Sequence, residues 1–205
     1  MVRIIMSALG ALVLCAAAAA AQTAATEQKL EVATFSSGCF WCTESDFDKV
    51  KGVVETTSGY IGGKTPNPTY RQVSAGGTGH AEALQLKYDP SQVTYQQLLD
   101  VYWHNVDPLD GTGQFCDRGD QYRPAIFYHT EEQKRLAEES KAALEKSGRF
   151  QAPIAVEITA ASTFTPAEAY HQDYYKNNPI QYFIYRHGCG RDARLEALWG
   201  KSKTQ

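Results

Sequence analysis

The residues able to do chemistry in this chain are concentrated around its thiols. The stretch Gly38-Cys39-Phe40-Trp41-Cys42 sets two cysteines and two large aromatics side by side. Cys116 lies in Cys116-Asp117-Arg118, and Cys189 stands between Gly188 and Gly190, where the backbone is free to swing and a thiol can travel. A cysteine is either an inert core residue or, as thiolate, a nucleophile, and its surroundings decide which. Phe40 and Trp41 carry area that is ordinarily buried, so a pocket wall or a core beside Cys39 is expected.

Several chemistries fit such thiols. Cys39 and Cys42 form a Cys-x-x-Cys, the spacing of a thioredoxin-like oxidoreductase, but the later strand-and-proline arrangement of that fold is missing and the chain is long for it. A zinc site from Cys39, Cys42, Cys116 and Cys189 has the right count with one close pair, where structural sites usually show two. A cysteine hydrolase needs a histidine at the nucleophile, and His80, His104, His129, His171 and His187 are available without a spacing that selects one. A non-catalytic metal or redox-sensing module on the four cysteines is the rival of a different class.

The elements that position these groups follow from local pattern. A first strand is expected over Leu30–Phe35, and the Ser36-Ser37-Gly38 turn then places Cys39 at the start of a helix running toward Val50. Unpaired N–H groups there would lower the thiol pKa. A second strand runs from Val53 to Tyr60 and hands over to a glycine-rich loop, a common station for a functional side chain. In the third strand Glu82, Leu84, Leu86 and Tyr88 share one face; Glu82 among apolar neighbours is expected to be buried, its pKa raised, and so to serve as an acid. Thr94 with Gln97 caps a helix whose Tyr95, Leu98, Leu99, Tyr102 and Trp103 form a core stripe ended by His104. Residues from Asp107 to Asp120 read as a long loop. Next come a strand from Tyr122 to Tyr128 with Pro124 near its start or at a sheet edge, a long helix capped by Thr130 and Gln133 and stopped by Gly148, and a fifth strand through Ile154, Val156 and Ile158. A further capping box, Thr165 to Glu168, opens a helical segment through Tyr170–Tyr175, and Arg191–Trp199 closes the chain as a short helix.

With 205 residues, 43% hydrophobic and 21% charged, the chain is long enough for one well-buried core. Residues 1–25, with Arg3, an apolar run and an alanine tract, read as a secretory signal peptide cut near Ala21 or Ala25. A single catalytic domain is expected over 26–205, monomeric, exported across the inner membrane to the periplasm and free of the membrane after cleavage. Four of the five cysteines remain after the cut, where disulfides can form. The formal charge of −3 becomes −4 without Arg3, and no basic run follows, which argues against a nucleic-acid partner.

Five stretches decide among the chemistries: Gly38-Cys39-Phe40-Trp41, Gly59-Tyr60 with Gly62-Gly63, Gly79-His80-Ala81-Glu82, Asp120-Gln121-Tyr122-Arg123, and Tyr170-His171-Gln172-Asp173-Tyr174-Tyr175. In order and approximate spacing they resemble the peptide methionine sulfoxide reductase A family from about Val32 to Pro179. The resemblance implies an α+β fold, a two-layer α/β sandwich with a ferredoxin-like core and a coil-rich C-terminal part. It implies reduction of the S epimer of methionine sulfoxide, in proteins and free, without cofactor or metal. By the same resemblance Cys39 attacks the sulfoxide sulfur, Glu82 protonates its oxygen, Tyr60 and Tyr122 hold that oxygen, Phe40 and Trp41 receive the methyl group, and Asp117 helps bind the substrate. Cys39 then becomes a sulfenic acid, a second cysteine condenses with it, and a thioredoxin-type partner reduces the disulfide. Cys42 departs from the pattern, since many members carry glycine there. Cys189, on its glycine hinge, is the first choice as resolving cysteine; Cys42 and Cys116 are further redox candidates, Cys116 alternatively serving a relay or a structural bridge.

Overall fold

The computed structural model of the protein describes residues 29–200; the leader, its cut sites and Cys15 lie outside them. The chain runs β1 (Glu31–Ser36), α1 (Phe40–Phe47), β2 (Val53–Ile61), α2 (Tyr70–Ser74), β3 (Ala81–Tyr88) and α3 (Tyr95–His104). A small hairpin follows, β4 (Gly113–Gln114) and β5 (Asp117–Arg118), then a 3-10 turn over Asp120–Tyr122, β6 (Ala125–Tyr128), α4 (Glu131–Lys146), β7 (Glu157–Ala160) and β8 (Thr165–Pro166). After a 3-10 turn over Ala169–His171 come α5 (Tyr174–Asn177), α6 (Pro179–Gly188) and α7 (Arg191–Trp199).

One six-stranded sheet takes the order β7-β6-β1-β3-β2-β8. Its middle, β6-β1-β3-β2, is antiparallel throughout, with α1 and α3 in the two crossovers, which is the ferredoxin-like arrangement. β7 adds parallel to β6, and β8 adds two residues beside Gly59 and Tyr60.

The alternation of β3 explains the main core. Leu84, Leu86 and Tyr88 meet Ala33 and Phe35 of β1 and the Tyr95, Leu98, Leu99, Tyr102 and Trp103 stripe of α3. Phe35 stacks between Phe47 at 5.1 Å and Tyr102 at 5.3 Å, ring centre to ring centre, and burying each such ring contributes roughly 1.5–3 kcal/mol. The opposite face is covered too: Ala81, Ala83, Ile61 and Phe127 pack under Ala161 and Phe164 from the coil before and around β8. Glu82 therefore lies in a strand enclosed from both sides.

Helix starts are well encoded. Thr94 and Gln97 form the expected reciprocal cap, and Thr130 accepts from the N–H of Gln133. His104 folds back onto the Asp100 carbonyl at 2.8 Å, a helix-end role. Some expectations shift. α1 stops at Phe47. β6 is an internal strand, and Pro124 lies just before it, where its missing N–H interrupts no ladder bond. Ile154 and Val156 are buried in the core, but the strand itself is Glu157–Ala160. Thr165 opens no helix: Thr165 and Pro166 pair with β2, and the Glu168 carboxylate is drawn away to other donors. The long loop after α3 is folded around the β4–β5 hairpin.

Candidate active site

Cys39 sits where β1 turns into α1. Gly38 takes a left-handed φ of +88°, and a Cβ there would come within 2.6 Å of the Gln114 Cβ, so the turn demands glycine. Behind this turn, Arg191, 1% exposed, donates to the Ser37 carbonyl at 3.0 Å and the Asn105 carbonyl at 2.6 Å. Cys39 is the N-cap residue of α1 and is itself buried.

The helix N-terminus is shared with the acid. The Phe40 N–H donates to Glu82 Oε2 at 3.2 Å, so the helix end serves the carboxyl group on β3. Burial pushes the Cys39 thiol well above its ordinary pKa, and Cys42 and Glu82 push the same way against a hydrogen bond from Tyr185. Cys39 is therefore a resting thiol. Glu82 matches its expectation: burial raises its pKa to about 8, the Phe40 N–H opposes, and the Asp117 and Cys42 charges add to the rise. It is protonated at neutral pH.

The tyrosines divide differently from their sequence assignment. Tyr60 lies opposite Glu82 in the β2–β3 ladder, yet its hydroxyl donates to Glu168 Oε2 at 2.9 Å. The other oxygen of Glu168 accepts from the Tyr70 N–H at 2.8 Å. One carboxylate thus ties Tyr60 to the start of α2 and sets Tyr70 in place. Burial raises the pKa of Tyr70 to about 12, with Glu82 and Cys39 adding to it. Burial likewise pushes Tyr122 up, with Glu82, Tyr70 and Cys39 contributing. Tyr70 and Tyr122 thus both feel the charges of Cys39 and Glu82, whereas the Tyr60 hydroxyl is taken up by Glu168. The Thr69–Gln72 capping box directly around Tyr70 was the available signal for its placement.

Phe40 and Trp41 do stand together, rings 6.4 Å apart. Trp41 stacks flat on Tyr174 at 3.7 Å and meets the edge of Tyr185 at 5.7 Å. Its indole N–H donates to His171 Nδ1 at 3.0 Å, which places the histidine proton on Nε2, and burial lowers the His171 pKa. The His171 ring lies 5.0 Å from Phe40 and 4.4 Å from Tyr70, so it joins the aromatic wall to the tyrosine.

The cysteines fall into two pairs. Cys39 and Cys42 are free and buried, three residues apart at this helix start, and each influences the titration of the other. Cys39 lowers the Cys42 pKa to about 7 against burial, with help from Arg191 and Arg186. Cys116 and Cys189 form a disulfide with Cα atoms 4.9 Å apart. Cys189, expected to meet Cys39, is thus held by Cys116. Among the described residues, Cys116, Asp117 and Cys189 bring metal-ligand atoms within 4.8 Å of one another, but the S–S bond removes both thiolates from use.

A buried thiol, a protonated carboxyl, two tyrosine hydroxyls and an aromatic wall meet at one end of the sheet, and comparison with known proteins points to one family. The family model described as peptide methionine sulfoxide reductase matches residues 31–203. The chain is 54% identical to peptide methionine sulfoxide reductase MsrA of Listeria monocytogenes, covering 85% of this chain and 98% of that protein. It is 51% identical to MsrA of Bacillus licheniformis, covering 87% and 98%. Among solved structures it is similar to reduced Mxr1 from Saccharomyces cerevisiae, with a TM-score of 0.68 at 33% identity over 74% of this chain and 87% of that one. It is also similar to methionine sulfoxide reductase A of Corynebacterium diphtheriae, with a TM-score of 0.65 at 34% identity over 74% and 76%. With a family match that spans nearly every described element, the chain belongs to the peptide methionine sulfoxide reductase family.

Proposed function

We propose that the protein reduces the S epimer of methionine sulfoxide, in proteins and free, through Cys39. The observation that carries this is the pairing of a buried thiol with a carboxyl group kept protonated by burial and joined to the thiol's own helix by the Phe40 N–H. The Cys39 thiolate attacks the sulfoxide sulfur, Glu82 gives its proton to the oxygen, the S–O bond breaks, and methionine leaves as Cys39 takes up OH as a sulfenic acid. Tyr70 and Tyr122 steady the oxygen by hydrogen bonds, and Phe40 and Trp41 receive the methyl group. Asp117 contributes to substrate binding.

With Cys116–Cys189 closed, the other free thiol among the described residues is Cys42, at the same helix start as Cys39, and its lowered pKa supplies thiolate near neutrality. Cys42 then attacks the Cys39 sulfenic sulfur, forming Cys39–Cys42 and expelling the oxygen, with a proton, as water. Cys189 enters this step only after its bond to Cys116 opens. A thioredoxin-type dithiol protein reduces the resulting disulfide. The protein acts as a monomer, since one chain supplies the whole site. Residues 1–25 direct export to the periplasm, and a closed Cys116–Cys189 bond supports a compartment where disulfides persist. Among the described residues no helix is long and apolar enough to cross a membrane.

One turnover without reductant tests the scheme. Protein with Cys116–Cys189 closed, given the S epimer of N-acetylmethionine sulfoxide, is expected to release methionine stoichiometrically and to show a Cys39–Cys42 bond on peptide mapping, with Cys116–Cys189 retained. Equal turnover of the R epimer overturns the reaction assigned, and a Cys39–Cys189 bond overturns the resolving step.

A further inference from the structure

We propose that Asp48 is a positioning residue for the methyl pocket, holding α5 against α1 so that Tyr174 lies flat on Trp41; this rests on the reading of Trp41 as a wall of that pocket. Trp41 and Asp48 are seven residues apart, and Asp48, the C-cap of α1, keeps helical dihedrals. That spacing sets both on one face of α1, two turns apart. α5 meets this face at both places. Tyr174 stacks on Trp41 with ring centres 3.7 Å apart and planes within 8°. The next two residues go to the carboxylate: the Tyr175 hydroxyl donates to Asp48 Oδ2 at 2.7 Å, and Lys176 Nζ reaches the same oxygen at 2.7 Å.

The carboxylate is itself fixed. The Thr56 hydroxyl of β2 donates to Asp48 Oδ1 at 2.6 Å, which sets the plane of the group and ties it to the sheet. The Asp48 side chain is 14% exposed, so these bonds are shielded from water in a way that surface pairs are not.

α5 needs such an anchor. It is four residues long, and a single turn does not hold itself in helical form. Asp173 before it has a φ of +52°, a left-handed conformation that few residues other than glycine adopt. Up to this step the chain is held by Gln172, whose Oε1 accepts from the Ser58 N–H at 2.9 Å and whose Nε2 donates to the Ser58 carbonyl at 2.9 Å. Beyond it, Tyr175 and Lys176 take hold of Asp48, and Lys176 also reaches back to Asp173 Oδ1 at 2.7 Å across the step. Without the Asp48 carboxylate, Tyr174 loses the support that keeps it on Trp41. The indole keeps its hydrogen bond to His171 and the edge of Tyr185, so the pocket loosens without collapsing. Glu82, joined to the Phe40 N–H, is untouched. Substrate binding is weakened and the chemical step is preserved.

The test is steady-state reduction of the S epimer of N-acetylmethionine sulfoxide with dithiothreitol as reductant. Asp48→Ala is expected to raise KM about fivefold, the scale of one aromatic stack, with kcat within about twofold of native. Tyr174→Ala is expected to raise KM by a similar factor. In the Tyr174→Ala background Asp48→Ala is expected to add nothing, because both changes remove one contact. Single effects that multiply to about 25-fold in the double variant would show independent action and overturn the proposal. An unmoved KM in folded Asp48→Ala overturns it as well, since a merely structural Asp48 lowers Tm and the active fraction and leaves KM alone. Should Asp48→Ala not fold, Lys176→Met decides on the same criterion: a raised KM in the native background that vanishes in Tyr174→Ala supports the anchor, and an unmoved KM rejects it. A KM raised by Trp41→Ala and Tyr174→Ala but not by Asp48→Ala rejects the anchor alone, whereas a KM unmoved by Trp41→Ala rejects the pocket reading beneath it.

Discussion

Glu82→Gln is expected to lower turnover of methionine sulfoxide by about 10²–10⁴-fold, the usual range for removing a positioned general acid. The amide preserves volume and its oxygen can still accept from the Phe40 N–H, so the loss isolates the proton. In the native enzyme the same reasoning predicts that activity declines as pH rises through about 8, where Glu82 ionises. The carboxyl also weighs on stability, with a definite sign. Its folded pKa of about 8 lies above the ordinary value of 4.5, so between those pH values the unfolded chain binds fewer protons than the folded one. Glu82 therefore costs little stability at acid pH and progressively more as pH rises. Urea unfolding is expected to show Glu82→Gln close to the native protein near pH 4 and more stable than it above pH 8. Near-native kcat/KM, or a stability difference independent of pH, would contradict the assignment.

The largest effect on stability is expected from Arg191→Met, which keeps an apolar stem and removes the guanidinium. That group donates to the Ser37 carbonyl and hydroxyl and the Asn105 carbonyl, and it lies over the Phe115 ring at 4.5 Å. Its removal strands buried acceptors and leaves Asp46 with Arg186 as its remaining close arginine. Breaking such a buried charged network costs about 3–5 kcal/mol, which lowers Tm by about 10 °C in a domain of this size. Lys87→Ala, which breaks the half-exposed Lys87–Glu55 pair, is the comparison and is expected to cost less than about 1 kcal/mol. Thermal denaturation of the two variants checks the contrast. A loss in Arg191→Met no greater than in Lys87→Ala would show that the guanidinium carries no structural weight. The variant also removes one of the two positive charges that lower the Cys42 pKa, so alkylation of Cys42 is expected to slow.

Where local pattern was sufficient, the sequence was a good guide. The alternation of β3 placed Glu82 on the apolar face, and the threonine caps at Thr94 and Thr130 marked their helices, because neighbours within a few residues decide those features. It was a poorer guide where a distant group competes. The α1 N-terminus was visible from Gly38 and Cys39, but its first N–H is taken by Glu82 from another strand. Tyr60 lies in a strand and Tyr70 opens a helix, and Glu168, about a hundred residues later, takes the hydroxyl of the first and the backbone N–H of the second. The same carboxylate explains why the Thr165 capping signal led to no helix. The partner of Cys189 was likewise beyond local pattern, since a thiol between two glycines is compatible with several pairings and only the tertiary arrangement selects Cys116.

The Cys116–Cys189 bond also acts on the unfolded chain. It joins residues 73 apart and encloses every element from β5 to α6 within one covalent ring. Closing a ring of that length removes about 4 kcal/mol of chain entropy from the unfolded state in the loop-closure treatment. A reductant strong enough to open this bond would therefore release an unfolding restraint, so the resistance of the domain to unfolding is linked to the thiol balance of its surroundings.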